Sequence, residues 1–223
     1  MGVTARQPHP GTLGRAVEIV LPQDPSQLSD EVLFAAYRKG DQPSFTRLLE
    51  RYQRELFHFL VRFLGDRASA EDIFQETFLQ VHQSAHQFDP QRRFRPWLFT
   101  IAANKARDLI RSQSRRPANP LQASIHQGDD ESGEFIDLIT SAQGLPDEPM
   151  QLKETQQQVQ RIVAGMPENL REILLLSYFH QFPYKQISQM LGIPLGTVKS
   201  RLHTAVATFA DLWKKSNQGH GIS

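Results

Sequence analysis

The residues with the types and spacing to do chemistry lie between Phe94 and Arg116. From Arg92 to Arg116 there are eight Lys or Arg against one Asp. Leu98, Ala102, Ala106 and Leu109 recur at helical spacing and predict a buried face. Asn104, Arg107, Asp108 and Arg111 fall on the opposite face, at offsets of three, four and seven. Trp97 lies seven residues before Asn104 and leans toward that polar face. A basic helix that begins with aromatic residues suits a surface that tracks phosphates and stacks on bases. A solvated basic face over a core Trp has the same composition. The preceding connection holds Phe88-Asp89-Pro90, and a Phe in such a polar loop either packs back on the core or meets a base.

A second set lies near the end of the chain. Tyr184 to Leu191 reads as a short helix, Gly192-Ile193-Pro194 as a tight turn, and Thr197 to Trp213 as a second helix. This is helix-turn-helix form. Ile187, Leu191, Ile193, Val198 and Leu202 are the packing positions, and Ser188 is small enough for the helices to approach. Thr197, Lys199, Ser200, Arg201 and His203 come early on the second helix, where a recognition helix meets bases and phosphates. Lys and Arg there pair with phosphates or guanine edges, and the hydroxyls donate to either.

A third set is acidic and amide-rich. Asp72, Gln75, Glu76, Leu79 and Gln83 share the outer face of a helix predicted over about 69–86, whose inner face is Ala70, Ile73, Phe74, Thr77, Phe78 and Val81. Leu79 interrupts the polar residues where water would be expected. An ordinary polar surface and a partner-binding face both fit.

The elements that position these residues are all helical. Ser29 or Asp30 caps a helix carrying Val32, Leu33, Ala36 and Tyr37, which Gly40 ends. Asp41 caps the next, with Pro43 in its first turn and an apolar stripe from Phe45 to Phe63, and Gly65-Asp66 stops it. The expected organisation is all-α: a flexible tail over 1–27, a helical domain over 28–116, an acidic linker over 117–148, a second helical domain over 149–215 with the helix-turn-helix, and a tail over 216–223. The linker reading rests on seven carboxylates with no Lys or Arg from Pro117 to Leu152. Such a segment either solvates, shields the basic face or occupies a channel meant for nucleic acid.

Composition excludes several function classes. The net charge is +1, so nucleic-acid binding must come from local patches. No cysteine occurs, which removes disulfides and cysteine-ligated zinc or iron–sulfur sites. There is no metal-ligand cluster, nucleophile elbow or phosphate-binding glycine loop, so neither an enzyme nor a metal or cofactor is expected. No apolar run approaches the ~20 residues that span a bilayer, and the start of the chain has no signal-peptide pattern. The expectation is a cytoplasmic protein without membrane insertion.

Three stretches resemble one family. Ala70-Glu71-Asp72-Ile73-Phe74-Gln75-Glu76-Thr77-Phe78-Leu79 resembles the conserved-region-two helix of bacterial RNA polymerase sigma factors, and Phe94 to Arg111 resembles the promoter-melting segment after it. Tyr184 to His203, with Gly196-Thr197-Val198-Lys199-Ser200-Arg201-Leu202, resembles their region four. The order, with an acidic linker between, is similar to the extracytoplasmic-function group. The resemblance implies a non-enzymatic initiation factor that binds core RNA polymerase through the clamp helices at Asp72, Gln75, Glu76 and Leu79. It implies single-stranded promoter contacts near Phe88 and Asn104, where a base is flipped out. Arg92, Arg93, Lys105, Arg107 and Arg111 would hold the strand backbone, while Trp97 packs under the Phe88 loop or stacks on DNA. Upstream duplex would meet Thr197, Lys199, Ser200, Arg201 and His203. Many relatives answer to an anti-sigma partner, though no residue here identifies one. His82, Gln186, Thr204 and Val206 depart from the family's usual Trp, Glu, Arg and Arg, which implies fewer upstream cations. A stand-alone two-domain helix-turn-helix regulator is the other reading, and the Glu71–Phe78 motif followed by a basic helix disfavours it.

Overall fold

The computed structural model describes residues 28–114 and 150–218, and the expectations for the tail over 1–27, the linker over 117–148 and the last residues lie outside them. Among the described residues every regular element is helical. The first group is α1 (Asp30–Arg38), α2 (Gln42–Leu64), α3 (Arg67–Gln83) and α4 (Phe94–Ser114), with a 3-10 turn at Ala85–Gln87. The second group is α5 (Met150–Gly165), α6 (Glu168–Leu174), a π-helical turn (Leu175–Phe179), α7 (Tyr184–Leu191) and α8 (Leu195–Gln218).

Local chemistry sets the boundaries. The Ser29 side chain accepts from the Val32 N–H at the start of α1, and the Asp66 carboxylate accepts from the Ser69 N–H at 2.8 Å at the start of α3. That bond holds the Asp66 carboxyl below its ordinary pKa. Gly65 ends α2 with φ +75°, the left-handed conformation that favours glycine. α3 starts and ends earlier than the apolar pattern suggested, because Asp66 caps it and Ser84 closes it.

The first core is built around Phe34, Leu48, Leu56, Phe59, Leu60, Phe63, Phe94, Leu98 and Phe99, all fully buried. In α1 the inward residues are Leu33, Phe34 and Tyr37, while Val32 is exposed. Val32 therefore does not face the core as the periodicity suggested, and Phe34 does. The Tyr37 hydroxyl and His82 Nδ1 share a hydrogen bond, which ties the end of α3 to α1.

The second core is Val159, Val163, Ile173, Leu174, Leu175, Leu176, Ile187, Val198, Leu202, Ala205 and Phe209. α7 ends at Gly192 with φ +64°. The Ser188 hydroxyl donates to the Ile193 carbonyl at 2.6 Å, so Ser188 locks the turn as well as being small. α8 begins at Leu195, two residues earlier than Thr197, because the turn needs only Gly192, Ile193 and Pro194. Val206 is buried, so that position packs the core and does not face duplex DNA.

The two helical groups pack against each other. Arg171 of α6 donates to the Phe63 carbonyl at 2.6 Å and the Met166 carbonyl at 2.8 Å. The His180–Pro183 segment inserts between α2 and α4, with Phe182 buried against Phe99 at 5.2 Å between ring centroids.

Candidate nucleic-acid interface

α4 is fixed at its start by an aromatic cluster. Phe94 is fully buried, its ring lies 4.9 Å from Phe34, and its N–H donates to Glu31 Oε1 at 3.2 Å. Leu98, Ala102 and Ala106 are buried as the spacing requires. That burial fixes the rotation of α4 and leaves Asn104, Asp108 and Arg111 exposed.

Of the two alternatives for Phe88, the structure shows the ring packed on the core. It is 5% exposed and packs edge-on to Phe34 at 5.1 Å. The Arg38 guanidinium pins the loop by donating to the Phe88 carbonyl at 3.2 Å. Its ring is core, because Phe34 supplies a partner that the local pattern could not show. Trp97 is half-buried and tilted on Phe88 at 4.7 Å. One part of its surface borders a cleft of about 600 Å³ lined also by Arg92, Arg93, Thr100, Gln186 and Gln189.

The cations expected at a strand are engaged to different degrees. Arg92 is exposed and 3.6 Å from Asp89. Lys105 Nζ lies 3.1 Å from Glu76 Oε2, joining the basic face to the acidic face of α3. Arg107 donates to Asn104 Oδ1, and its Nε lies 3.5 Å from Glu172 Oε1. Arg111 is 3.9 Å from Asp108. The exposed pairs, those of Arg92 and Arg111, contribute at most about 1 kcal/mol each and are readily exchanged for phosphate.

On α3, Asp72, Gln75 and Glu76 are exposed and Leu79 is 55% exposed. On α8, Lys199, Ser200 and His203 are exposed, while Thr197 and Arg201 are half-buried. Ser200 turns its hydroxyl back to the Thr197 carbonyl at 3.2 Å. The expected residues thus lie on α3, on α4 with the connection before it, and on α8, with Lys105 and Glu76 bridging the first two.

Sequence reasoning missed four residues at the junction of the two groups. Arg95 reaches Glu55 and donates to the His180 carbonyl at 2.7 Å. Its guanidinium also lies over the Phe182 ring at 4.2 Å. Glu55 accepts from His180 Nδ1 at 3.1 Å. Burial pushes the Glu55 carboxyl up, but the His180 and Arg95 hydrogen bonds and charges prevail and hold it at about 2. Burial drives the His180 pKa down and favours the neutral ring. Glu172 is 4% exposed, and its Oε1 has no hydrogen-bond partner. Burial pushes its carboxyl up to about 7 despite Arg107, Arg201 and Arg111 nearby. The ion-pair distance points the other way, but 3.5 Å is too long to repay the loss of water, and burial decides. The one signal in the sequence was a carboxylate set inside Leu170, Ile173, Leu174 and Leu175.

These surfaces define a two-part helical protein with a basic helix and a recognition helix. The sigma-70 region 2 family matches residues 48–116, and the sigma-70 region 4 family matches residues 156–209. The ECF RNA polymerase sigma-E factor of Escherichia coli (strain K12) is 31% identical over 179 residues, covering 80% of this chain and 91% of its own. The ECF RNA polymerase sigma factor SigW of Bacillus subtilis (strain 168) is 31% identical over 166 residues, covering 74% and 87%. The chain belongs to the ECF RNA polymerase sigma factors. Its fold is similar to that of CnrH in complex with the cytosolic domain of CnrY, at TM-score 0.58 and 23% identity, covering 83% of this chain and 97% of that one.

Proposed function

We propose that this sigma factor docks on core RNA polymerase through Asp72, Gln75, Glu76 and Leu79 and opens promoter DNA along α4. The observation that carries the reading is the division of labour around α3 and α4. One helix presents an exposed Leu among carboxylates and amides, and its neighbour presents a cationic, amide-bearing face. Asn104 supplies a donor and an acceptor to a flipped base, while Arg92, Arg93, Lys105, Arg107 and Arg111 hold the strand backbone. Unstacking a base costs a few kcal/mol. Phe88 does not offset that cost, being core, so hydrogen bonding and phosphate contacts must. Trp97 serves chiefly to support α4. Thr197, Lys199, Ser200, Arg201 and His203 read upstream duplex in the major groove. The place of action is the cytoplasm, with the polymerase, and the chemistry of RNA synthesis belongs to the polymerase.

The test is association with core polymerase. Asp72→Ala with Glu76→Ala is expected to lower co-purification with core by about tenfold or more, since charged interface contacts are worth on the order of 1.5 kcal/mol or above. The helical circular dichroism should stay unchanged, because both side chains are exposed. Undiminished association would place polymerase docking elsewhere. A chain that bound duplex tightly alone and never joined core would instead be the stand-alone regulator.

A further inference from the structure

We propose that Leu195 and Tyr184, the first residues of the two helices of the helix-turn-helix, are specificity and backbone contacts for upstream promoter duplex. Leu195 reads the 5-methyl group of a thymine in the major groove, and Tyr184 sits on the sugar–phosphate backbone beside it. The inference rests on the sigma-factor reading above and gives its upstream site a base preference.

Three observations carry it. The first is where large apolar side chains are left bare. Among the described residues these are Val32, Leu79, Tyr184 and Leu195. Tyr184 opens α7 and is 40% exposed, and Leu195 opens α8 and is 42% exposed. One exposed apolar side chain on a surface needs no explanation. Two at the starts of both helices of this motif do. A helix-turn-helix docks with the start of its recognition helix at base edges and with its first helix across the backbone.

The second observation is the ground around the pair. Gly192 and Gly196 stand on either side of Leu195, and a Cβ added at either would meet no atom within 4 Å. The start of α8 is therefore open to the close approach of a base pair. Leu195 lies one turn before Lys199, and Lys199 one turn before His203, and all three are exposed. Lys185, next to Tyr184, is exposed as well. Neither lysine forms an ion pair among the described residues, so both are at hand for phosphates.

The third observation is what the hydroxyls of α8 do. Ser200 donates to the Thr197 carbonyl at 3.2 Å and Thr204 to the Ser200 carbonyl at 3.0 Å, which leaves both as acceptors toward a base. A thymine methyl offers neither a donor nor an acceptor, so only an apolar side chain recognises it. Leu195 is the one large aliphatic side chain exposed on α7 and α8 among the described residues. Tyr184 suits the backbone, because its ring covers a sugar while its hydroxyl donates to a phosphate oxygen.

The test uses the reconstituted holoenzyme and the duplex promoter of highest affinity that it selects from a randomised library. Every thymine of the upstream element is replaced singly by deoxyuridine, which removes only the methyl group. Closed-complex affinity is measured for wild type, Leu195→Ala, Tyr184→Phe and Lys199→Ala, alongside association with core. Thymine and uracil are compared within each protein, so a change in folding does not enter the difference.

Wild type is expected to bind about fourfold more weakly when one thymine loses its methyl, the effect of burying a single such group. For Leu195→Ala the same replacement should have no effect. Tyr184→Phe should keep the methyl effect and lose on the order of fivefold in affinity for every duplex alike, as for one hydrogen bond. A selected promoter without thymine in that element would overturn the inference. So would a wild type indifferent to every methyl, or a methyl effect that persists in Leu195→Ala. Loss of core association by Leu195→Ala would also overturn it, since the side chain would then face polymerase. Tyr184→Phe equal to wild type on every duplex would overturn the part given to Tyr184. Lys199→Ala equal to wild type on every duplex, with no methyl effect in either, would instead overturn the upstream-duplex reading itself.

Discussion

Phe94→Ala is expected to cost about 3–5 kcal/mol, the range for removing a buried aromatic side chain, and so to unfold a large fraction of the first helical group. Phe94 is fully buried, and its ring contacts Phe34 at 4.9 Å, Tyr52 at 5.8 Å and Trp97 at 6.0 Å. The cavity would open under the first turn of α4, where the N–H of residue 94 is held by Glu31. Phe34, Phe88 and Trp97 lean on the Phe94 ring, so the hole cannot collapse without moving the Phe88 loop. Urea unfolding with Phe94→Leu as the milder companion measures the effect. A loss under about 1 kcal/mol for alanine would mean that the cluster does not hold α4 in place.

Glu172→Gln is expected to stabilise the protein, and only at high pH. A carboxyl raised in the folded state from 4.5 to about 7 binds its proton more tightly there than in the unfolded chain. Its contribution is fully present below about pH 4.5 and is lost as pH rises through about 7. The shift corresponds to roughly 3 kcal/mol at pH 8. Glutamine keeps the shape and never ionises, so it should match wild type at about pH 4 and exceed it by up to that amount at pH 8. His180 has the opposite sense. Its lowered pKa makes the neutral ring the folded form, so protonation below its ordinary 6.5 opposes folding. The comparison must therefore be made between variant and wild type at each pH, where the effect of His180 cancels. Equal stability of the two chains at pH 8 would show that Glu172 is not buried as an unrepaid charge.

Much of this was legible in the sequence wherever the signal was local. The stripes of α2 and α4, the stop at Gly65 and the turn at Gly192 follow from periodicity and from glycine's access to positive φ. The polar face of α4 follows from the same count. Where a residue's fate depended on a distant partner, the sequence left it open. Phe88 is core because Phe34, far back in α1, reaches it, and within α1 it is Phe34 that is buried while Val32 is exposed. Val206 resembled a missing surface cation until Leu202, Ala205 and Phe209 were seen to share its buried face. The junction was the least legible part. Arg95 meets His180 across 85 positions and His180 meets Glu55 across 125, and no periodic pattern encodes such pairs.

The central claim is that the Asn104–Arg111 face of α4 holds a melted promoter strand. The most direct measurement is permanganate reactivity of promoter thymines in the reconstituted holoenzyme, set beside footprinting of the initial closed complex, for wild type and Asn104→Ala. Asn104 is exposed and its Oδ1 accepts from Arg107 on the same helix, so the helix should be undisturbed. The account predicts strand opening reduced by on the order of tenfold, about 1.4 kcal/mol, with closed-complex binding nearly unchanged. Equal loss at both stages, or no loss of opening, would contradict it.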